Sequence, residues 1–195
     1  MAQFKQRQIL GNWKQGFALD LHTLSSIPIG SNEFGHMQFD TTRSEVGELL
    51  FRLKNRSDTS TVPELVAAVE TFMKMWQPPV DIIVPVPPSS ARAVQPVMLL
   101  AQALSTQLKI PLVEAVRKTR ETPQLKNIFD LDERLKALEG AHAADPGTAQ
   151  GRRILLFDDL FRSGATMNAI TTELYQQGKA AEVYALTITR TRSHQ

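Results

Sequence analysis

The sequence predicts an α/β domain built on a parallel sheet covered by helices, preceded by an N-terminal extension. Three short apolar runs carry this prediction: residues 80–86, Ile154–Phe157 and Val183–Thr189, each rich in branched side chains and separated from the next by a stretch of helical periodicity. Strands buried on both faces read as continuous apolar runs rather than as alternating ones. The length of 195 residues suits one domain, and 42% hydrophobic with 22% charged residues is enough apolar material for a real core.

Each element has its own signal. Phe17, Leu19 and Leu21 recur with a period of two, predicting a strand with Asp20 and His22 facing outward. The stretch from Gly30 to Gly35 reads as a turn. Thr42 and Glu45 form a capping box ahead of a helix with Val46, Leu49, Leu50 and Leu53 on its apolar stripe. Thr61, Pro63 and Glu64 open a second helix whose stripe runs from Leu65 through Val69 and Phe72 to Trp76, and Pro78-Pro79 stops it. The strand at 80–86 leads into a stiff proline loop ending at Pro88, and a helix from Pro96 to Leu108 follows. A shorter strand, Pro111 to Val116, precedes a polar stretch from Arg117 to Asp130, expected to be a mobile loop. Asp130 and Glu133 cap a short helix ended by Gly140, and Asp145-Pro146-Gly147 reads as a turn. The strand Ile154–Phe157 breaks into Asp158-Asp159, a helix runs on to Gln177 with Gly178 as its stop, and a strand at Val183–Thr189 comes last. The expected division is an extension over 1–60 and a core domain over 61–195.

Composition excludes several classes of function. The 22 Lys and Arg against 20 Asp and Glu leave a net charge of +2, too small to announce a nucleic-acid binder. With no cysteine there is no disulfide, no thiol catalysis and no Cys-based zinc site, and His22, His36, His142 and His194 have no metal-ligand spacing. The polar N-terminus and the lack of any membrane-length apolar run predict a cytoplasmic protein.

The strongest chemical signal is Ile154 to Thr166, where a buried strand delivers two carboxylates and a turn of small residues opens a helix. Backbone N–H groups of Ser163, Gly164, Ala165 and Thr166 can surround a phosphate, helped by about half a positive charge from the helix dipole. Asp158 and Asp159, acceptors when ionised, suit the vicinal hydroxyls of a ribose. The alternative is a strand end with two solvated aspartates and an ordinary helix cap. A Walker-type Mg²⁺ strand needs a G-x-x-x-x-G-K-[ST] loop upstream, which the chain lacks, and no G-x-G-x-x-G follows any strand. A second group follows the first core strand: rigid prolines, Pro88 among them, then Ser89, Ser90 and Arg92, either a polyanion loop or a proline-rich surface turn. The third is Arg117-Lys118-Thr119-Arg120, read on charge alone as a solvated face.

With these motifs in place, the segment Asp81 to Arg192 resembles the ComF-like, amidophosphoribosyltransferase-related subgroup of type I phosphoribosyltransferases. D-I-I-V-P-V-P-P-S, R-K-T-R-E-T-P-Q-L, E-R-L and the strand-D-D-turn-helix carry the resemblance, which covers the N-terminal part only loosely. It implies a type I phosphoribosyltransferase-like parallel sheet with a small N-terminal hood. It also implies an enzyme that displaces pyrophosphate from phosphoribosyl pyrophosphate (PRPP) with a nitrogen nucleophile, with Mg²⁺ as cofactor and a homodimer as assembly. Asp158 and Asp159 then serve the ribose; Arg162, Ser163, Gly164, Ala165 and Thr166 the 5′-phosphate; Pro88, Ser89, Arg92, Arg117 and Lys118 the pyrophosphate, with the loop after Lys118 as a lid. Arg162 stands where the family has a small residue, and it either adds a phosphate contact or points to solvent. The cysteine zinc ribbon of many relatives cannot be built here. The acceptor and a general base are not identified. The alternative implied by the same resemblance is a non-catalytic PRPP or nucleotide sensor, or an accessory protein of DNA uptake.

Overall fold

The structure is a computed structural model of the 195-residue chain, and it describes residues 2–89, 94–122, 128 and 130–192. Among these the strands are β1 (Arg7–Gln8), β2 (Gln15–Leu21), β3 (Thr23–Ser31), β4 (Met37–Arg43), β5 (Ile82–Pro85), β6 (Val116–Lys118), β7 (His142–Ala144), β8 (Arg153–Phe161) and β9 (Glu182–Arg190). The helices are α1 (Glu45–Arg56), α2 (Val62–Trp76), α3 (Pro96–Leu108), α4 (Leu131–Leu138), α5 (Pro146–Ala149) and α6 (Ala165–Gln176). The central sheet has the order β1-β2-β9-β8-β5, parallel except for the edge strand β1. Two antiparallel ribbons, β3–β4 and β6–β7, stand outside it.

Two layers of side chains bury the sheet. On one face Leu19, Ile83, Leu155, Phe157, Leu186 and Ile188 pack against Leu50, Leu65, Phe72 and Leu100 of α1, α2 and α3. On the other, Ile82, Val84, Ile154, Leu156, Val183 and Ala185 pack against Met167, Ile170 and Leu174 of α6. β8 and β9 therefore lie in the middle layer, which is why their sequences are apolar without alternation.

Several expected boundaries shift. β8 does not break at Asp158-Asp159 but continues in register with β9 as far as Phe161. Asp20 is buried rather than outward: its carboxylate accepts the N–H groups of Lys5 (3.1 Å) and Leu21 (2.7 Å). The cap of α1 is Ser44, not Thr42, which belongs to β4. Thr61 precedes α2 as expected, but its hydroxyl donates to Asp58 O at 2.9 Å instead of capping. Pro111–Val116 meets the sheet through one parallel bridge, Ile83 to Leu112, and the strand there is β6, which includes Arg117 and Lys118. Asp145 caps the short helix α5 rather than a simple turn. β1 and β2, both within the first sixty residues, are strands of the central sheet.

One junction positions the functional end of the sheet. The Ser44 hydroxyl donates to Leu21 O at 2.6 Å and accepts the Gly47 N–H at 3.0 Å, tying the first turn of α1 to the end of β2. Approach is close enough that a Cβ on Gly47 would lie 2.4 Å from the His22 carbonyl oxygen. Only glycine lets α1 sit there, and α1 carries Lys54. We expect Gly47→Ala to lower unfolding stability by about 1–3 kcal/mol, the usual cost of forcing atoms into a packed contact, measured as a reduced urea midpoint at unchanged slope. An unchanged midpoint would mean that the α1–β2 contact is loose.

Candidate functional site

The carboxyl ends of parallel strands are where open α/β sheets bind ligands. At that end β8 presents Asp158, partly exposed, and Asp159, buried. Successive strand residues alternate in direction, so the two side chains leave the backbone on opposite faces. Asp158 is the register partner of Thr187, on the α6 face with Val183 and Ala185. Asp159 faces α1, where Lys54 Nζ stands 2.9 Å from its Oδ1 and 2.8 Å from its Oδ2. Asp158 Oδ1 accepts the Asp159 N–H at 2.8 Å. Burial and the neighbouring Asp159 charge push the Asp158 carboxyl up to about 7, against the milder pull of that N–H and of Lys54. One member of the pair is thus clamped by a cation, and the other is poised to hold a proton near neutrality.

His22 lies within the field of Lys54, Arg43 and Asp159. His22, half-buried, shares a hydrogen bond between its Nδ1 and Thr189 Oγ1 at 3.2 Å. Burial, reinforced by Lys54 and Arg43, pulls its imidazole down to about 4, so it is neutral at pH 7. Arg43 stacks over the Phe51 ring at 3.8 Å and pairs with Glu48 at 3.3 Å. Lys54, His22 and Arg43 are not among the residues that the sequence singles out for the site, where His22 is only an outward residue of the predicted strand. A signal for Lys54 existed: it sits four residues after Leu50 and next to Leu53, at the margin of the buried stripe, where a lysine has a burial to explain.

After β8 the chain turns through Arg162 and Ser163, both exposed, into Gly164, which adopts φ +78° and caps α6. A Cβ there would meet the Phe161 ring at 2.8 Å, so this position requires glycine on both counts. Asn168 secures the turn through Gly164 O, its backbone N–H at 2.8 Å and its Nδ2 at 3.0 Å. No side chain caps the helix in the usual way; Ser163 Oγ accepts only a long 3.4 Å bond from Ala165 N. Ala165 is buried and Thr166 half-buried.

The expected pyrophosphate residues are placed less closely. Pro88 and Ser89 lie exposed just beyond β5, whose exit is fixed by the Val86 N–H donating to Phe157 O at 2.9 Å. Ser90 and Arg92 lie outside the described residues, as does most of the expected lid, 123–127 and 129. Arg117 and Lys118 sit on the β6–β7 ribbon, Lys118 opposite His142, and neither bonds to Asp158 or Asp159. Among the described residues no cluster of three metal-ligating side chains occurs, and no helix is long and apolar enough to cross a membrane.

A carboxyl whose folded-state pKa lies above its ordinary value near 4 takes up a proton on folding, so its contribution to stability falls as pH rises from about 4 to about 7. Removing it should therefore help most at the alkaline end. The unfolding free energy of Asp158→Asn relative to the parent chain should rise steadily between pH 4 and pH 7.5; the difference between the two chains cancels the opposite contribution of His22. A difference that is flat with pH would place the Asp158 carboxyl in the ordinary acidic range.

No family model matches the chain. It is 29% identical over 154 residues to the competence protein ComFC of Bacillus subtilis, an alignment that covers 73% of this chain and 59% of that protein. Among solved structures it is similar to an adenine phosphoribosyltransferase of Trypanosoma brucei in complex with AMP, pyrophosphate and ribose-5-phosphate (14% identity, 96% of this chain and 75% of that one, TM-score 0.48). It is also similar to the glutamine PRPP amidotransferase of B. subtilis complexed with ADP and GMP (16% identity, 80% and 34% covered, TM-score 0.45). The similarity to ComFC agrees with the ComF-like resemblance read from the strand, paired acids, turn and helix.

Proposed function

We propose that the chain binds PRPP at the carboxyl end of β8 and displaces its pyrophosphate with a nitrogen nucleophile. The observation that carries this reading is the sequence of parts along one stretch of backbone: a buried strand, the acidic pair Asp158-Asp159, then a glycine turn opening a helix that no side chain caps. On this reading the N–H groups from Ser163 to Thr166 receive the 5′-phosphate, with the helix dipole adding positive potential. Asp158 and Asp159 take the ribose hydroxyls and offset positive charge as the sugar carbon loses its leaving group. Lys54 is the residue that must give up Asp159 for this to happen. Pro88, Ser89, Arg92, Arg117 and Lys118 are assigned to the pyrophosphate, and the β3–β4 ribbon and α1 to the hood.

Mg²⁺ fits this site as a passenger of the substrate, because two carboxylates and the phosphate oxygens of PRPP make an all-oxygen donor set. It would neutralise the pyrophosphate as that group departs, and the chain's own part is to position the sugar and exclude alternatives.

The similarity to a competence protein supports a second reading, in which the same site senses PRPP or a nucleotide without turnover, or the protein assists DNA uptake. Because the chain spans 59% of the length of that relative, neither activity transfers with the alignment. The two readings part on one assay, pyrophosphate release from PRPP·Mg²⁺ across a panel of bases and amines. Release that depends on one acceptor supports transfer; tight binding without release supports the sensor; salt-sensitive binding of single-stranded DNA favours the uptake role.

In either case the site makes one demand on binding. Asp158→Asn and Asp159→Asn should each weaken PRPP·Mg²⁺ by roughly 10- to 150-fold in calorimetric titration, the usual range for losing a charged hydrogen-bond acceptor. Gly164→Val should do more, and Ser163→Ala less. If all four folded variants bind like the parent, the paired acids and turn serve the fold alone.

A further inference from the structure

The β3–β4 ribbon concentrates the apolar surface that the fold leaves uncovered. Of the eight large apolar side chains exposed among the described residues, six lie on the ribbon or its turn: Leu24, Ile27, Ile29, Phe34, Met37 and Phe39. Phe34 is 76% exposed and Ile29 66%. Among the described residues the ribbon joins no other strand, so β3 and β4 each have a free edge. An isolated two-stranded ribbon is marginal in water, and apolar side chains beside an unpaired edge favour the addition of further strands.

The two edges differ. β3 contains Pro28, which has no N–H to donate, and its pairing is interrupted between Thr23 and Ser25 and again between Pro28 and Gly30, each time with the extra residue in β3. Proline and bulges are devices that blunt an edge. Every residue of β4 from Met37 to Arg43 keeps its place in the register, and none is proline or glycine. An added strand therefore meets β4. The side chains of β4 suit a copy of themselves. In an antiparallel pair centred on Phe39, Phe39 faces its counterpart, Met37 flanks Thr41, and the Gln38 amide can donate to the Asp40 carboxylate. Charge argues against other occupants: residues 23–42 include Glu33 and Asp40 but no lysine or arginine, which disfavours an anionic lipid surface or a nucleic-acid backbone.

We propose that β4 pairs antiparallel with β4 of a second copy, joining two ribbons into one four-stranded sheet across a twofold axis. The blunted edge of β3 ends that sheet on both sides, so association closes at two copies. The same register carries the turn of each ribbon, with Phe34, toward the base of the other. Covering the six side chains removes about 600 Å² from each copy, a total of about 1,200 Å² that reaches the lower limit of specific, stable interfaces. The pairing needs neither the acids of β8 nor the glycine turn, and so stands independently of PRPP binding.

Sedimentation velocity on the full chain tests it. The parent should sediment as a dimer at micromolar concentration, and Phe39→Glu, which sets two carboxylates against each other at the axis, should weaken the dimer by about 100-fold or more with an unchanged circular dichroism spectrum. Because the chain has no cysteine, register can be read by cross-linking. Phe39→Cys should oxidise to a covalent dimer, since directly opposed strand residues lie within disulfide reach, whereas Leu10→Cys, 77% exposed but off the ribbon, should not. If Phe39→Glu fails to fold, the two cysteine variants decide. A parent chain that stays monomeric overturns the proposal, as does a dimer that folded Phe39→Glu leaves intact, or a cross-link at Leu10→Cys with none at Phe39→Cys. Binding of a monomeric parent to phosphatidylcholine vesicles, lost in Phe39→Glu, would overturn it in favour of a lipid surface.

Discussion

Two adjacent carboxylates at the end of a buried strand cannot both stay charged in a poorly solvated setting without a counter-ion, and the arrangement around β8 is organised by that constraint. Lys54 supplies the positive charge to Asp159, at 2.8 Å. For Lys54 to arrive there, α1 must be seated on the end of β2, which in turn requires Ser44 to bridge Leu21 and Gly47 and requires Gly47 to have no side chain. The Lys54–Asp159 pair itself is poor evidence of stability, since two charges taken out of water repay little of their desolvation even when well paired. Its value lies in fixing one carboxylate against a cation while burial and its neighbour raise the other.

That difference gives the functional proposal its chemical content. A ribose diol presents donors and acceptors, and a site with one carboxylate held by a lysine and one readily protonated carboxyl can answer both. The ammonium of Lys54 also makes the ligand-free site self-satisfied. A sugar that takes Asp159 must compete with a cation already in place, so binding energy from the phosphate groups is needed to open the pair. Recognition at the turn and chemistry at the acids are coupled through a side chain that belongs to neither.

Much of this was legible in the sequence, and the exceptions have physical causes. The core strands announced themselves because burial on both faces leaves an unbroken apolar run, as in Ile154–Phe157. The α6 turn was legible because Gly164, bounded by Ser163 and Ala165, has few other uses between a strand and a helix. The end of β8 was misjudged because charge was taken as a strand terminator, whereas register with β9 carries the backbone hydrogen bonds through Asp158 and Asp159 to Phe161. Asp20 was misplaced for the opposite reason: alternation predicts outward polar residues, but a carboxylate that accepts two backbone N–H groups can stay inside. Lys54, His22 and Arg43 come together only through the packing of α1 against the sheet. No local pattern encodes a contact between residues 54 and 159.

The continuation of β8 through its acidic pair also bears on how such a site can change over time. Asp158 and Asp159 are identical in covalent structure, and only the parity of their positions along the strand gives one a lysine and the other a proton. A deletion of one residue upstream in β8 would leave two aspartates in the text of the gene yet move Asp159 into the place of Asp158 and Asp158 into the core position of Phe157, while also turning the apolar residues before them inside out. Drift by substitution can adjust either acid separately, but drift in length cannot be absorbed within this strand. Insertions and deletions should therefore accumulate in the connections on either side of it, leaving the spacing from Ile154 to Gly164 as the most rigid measure in the chain.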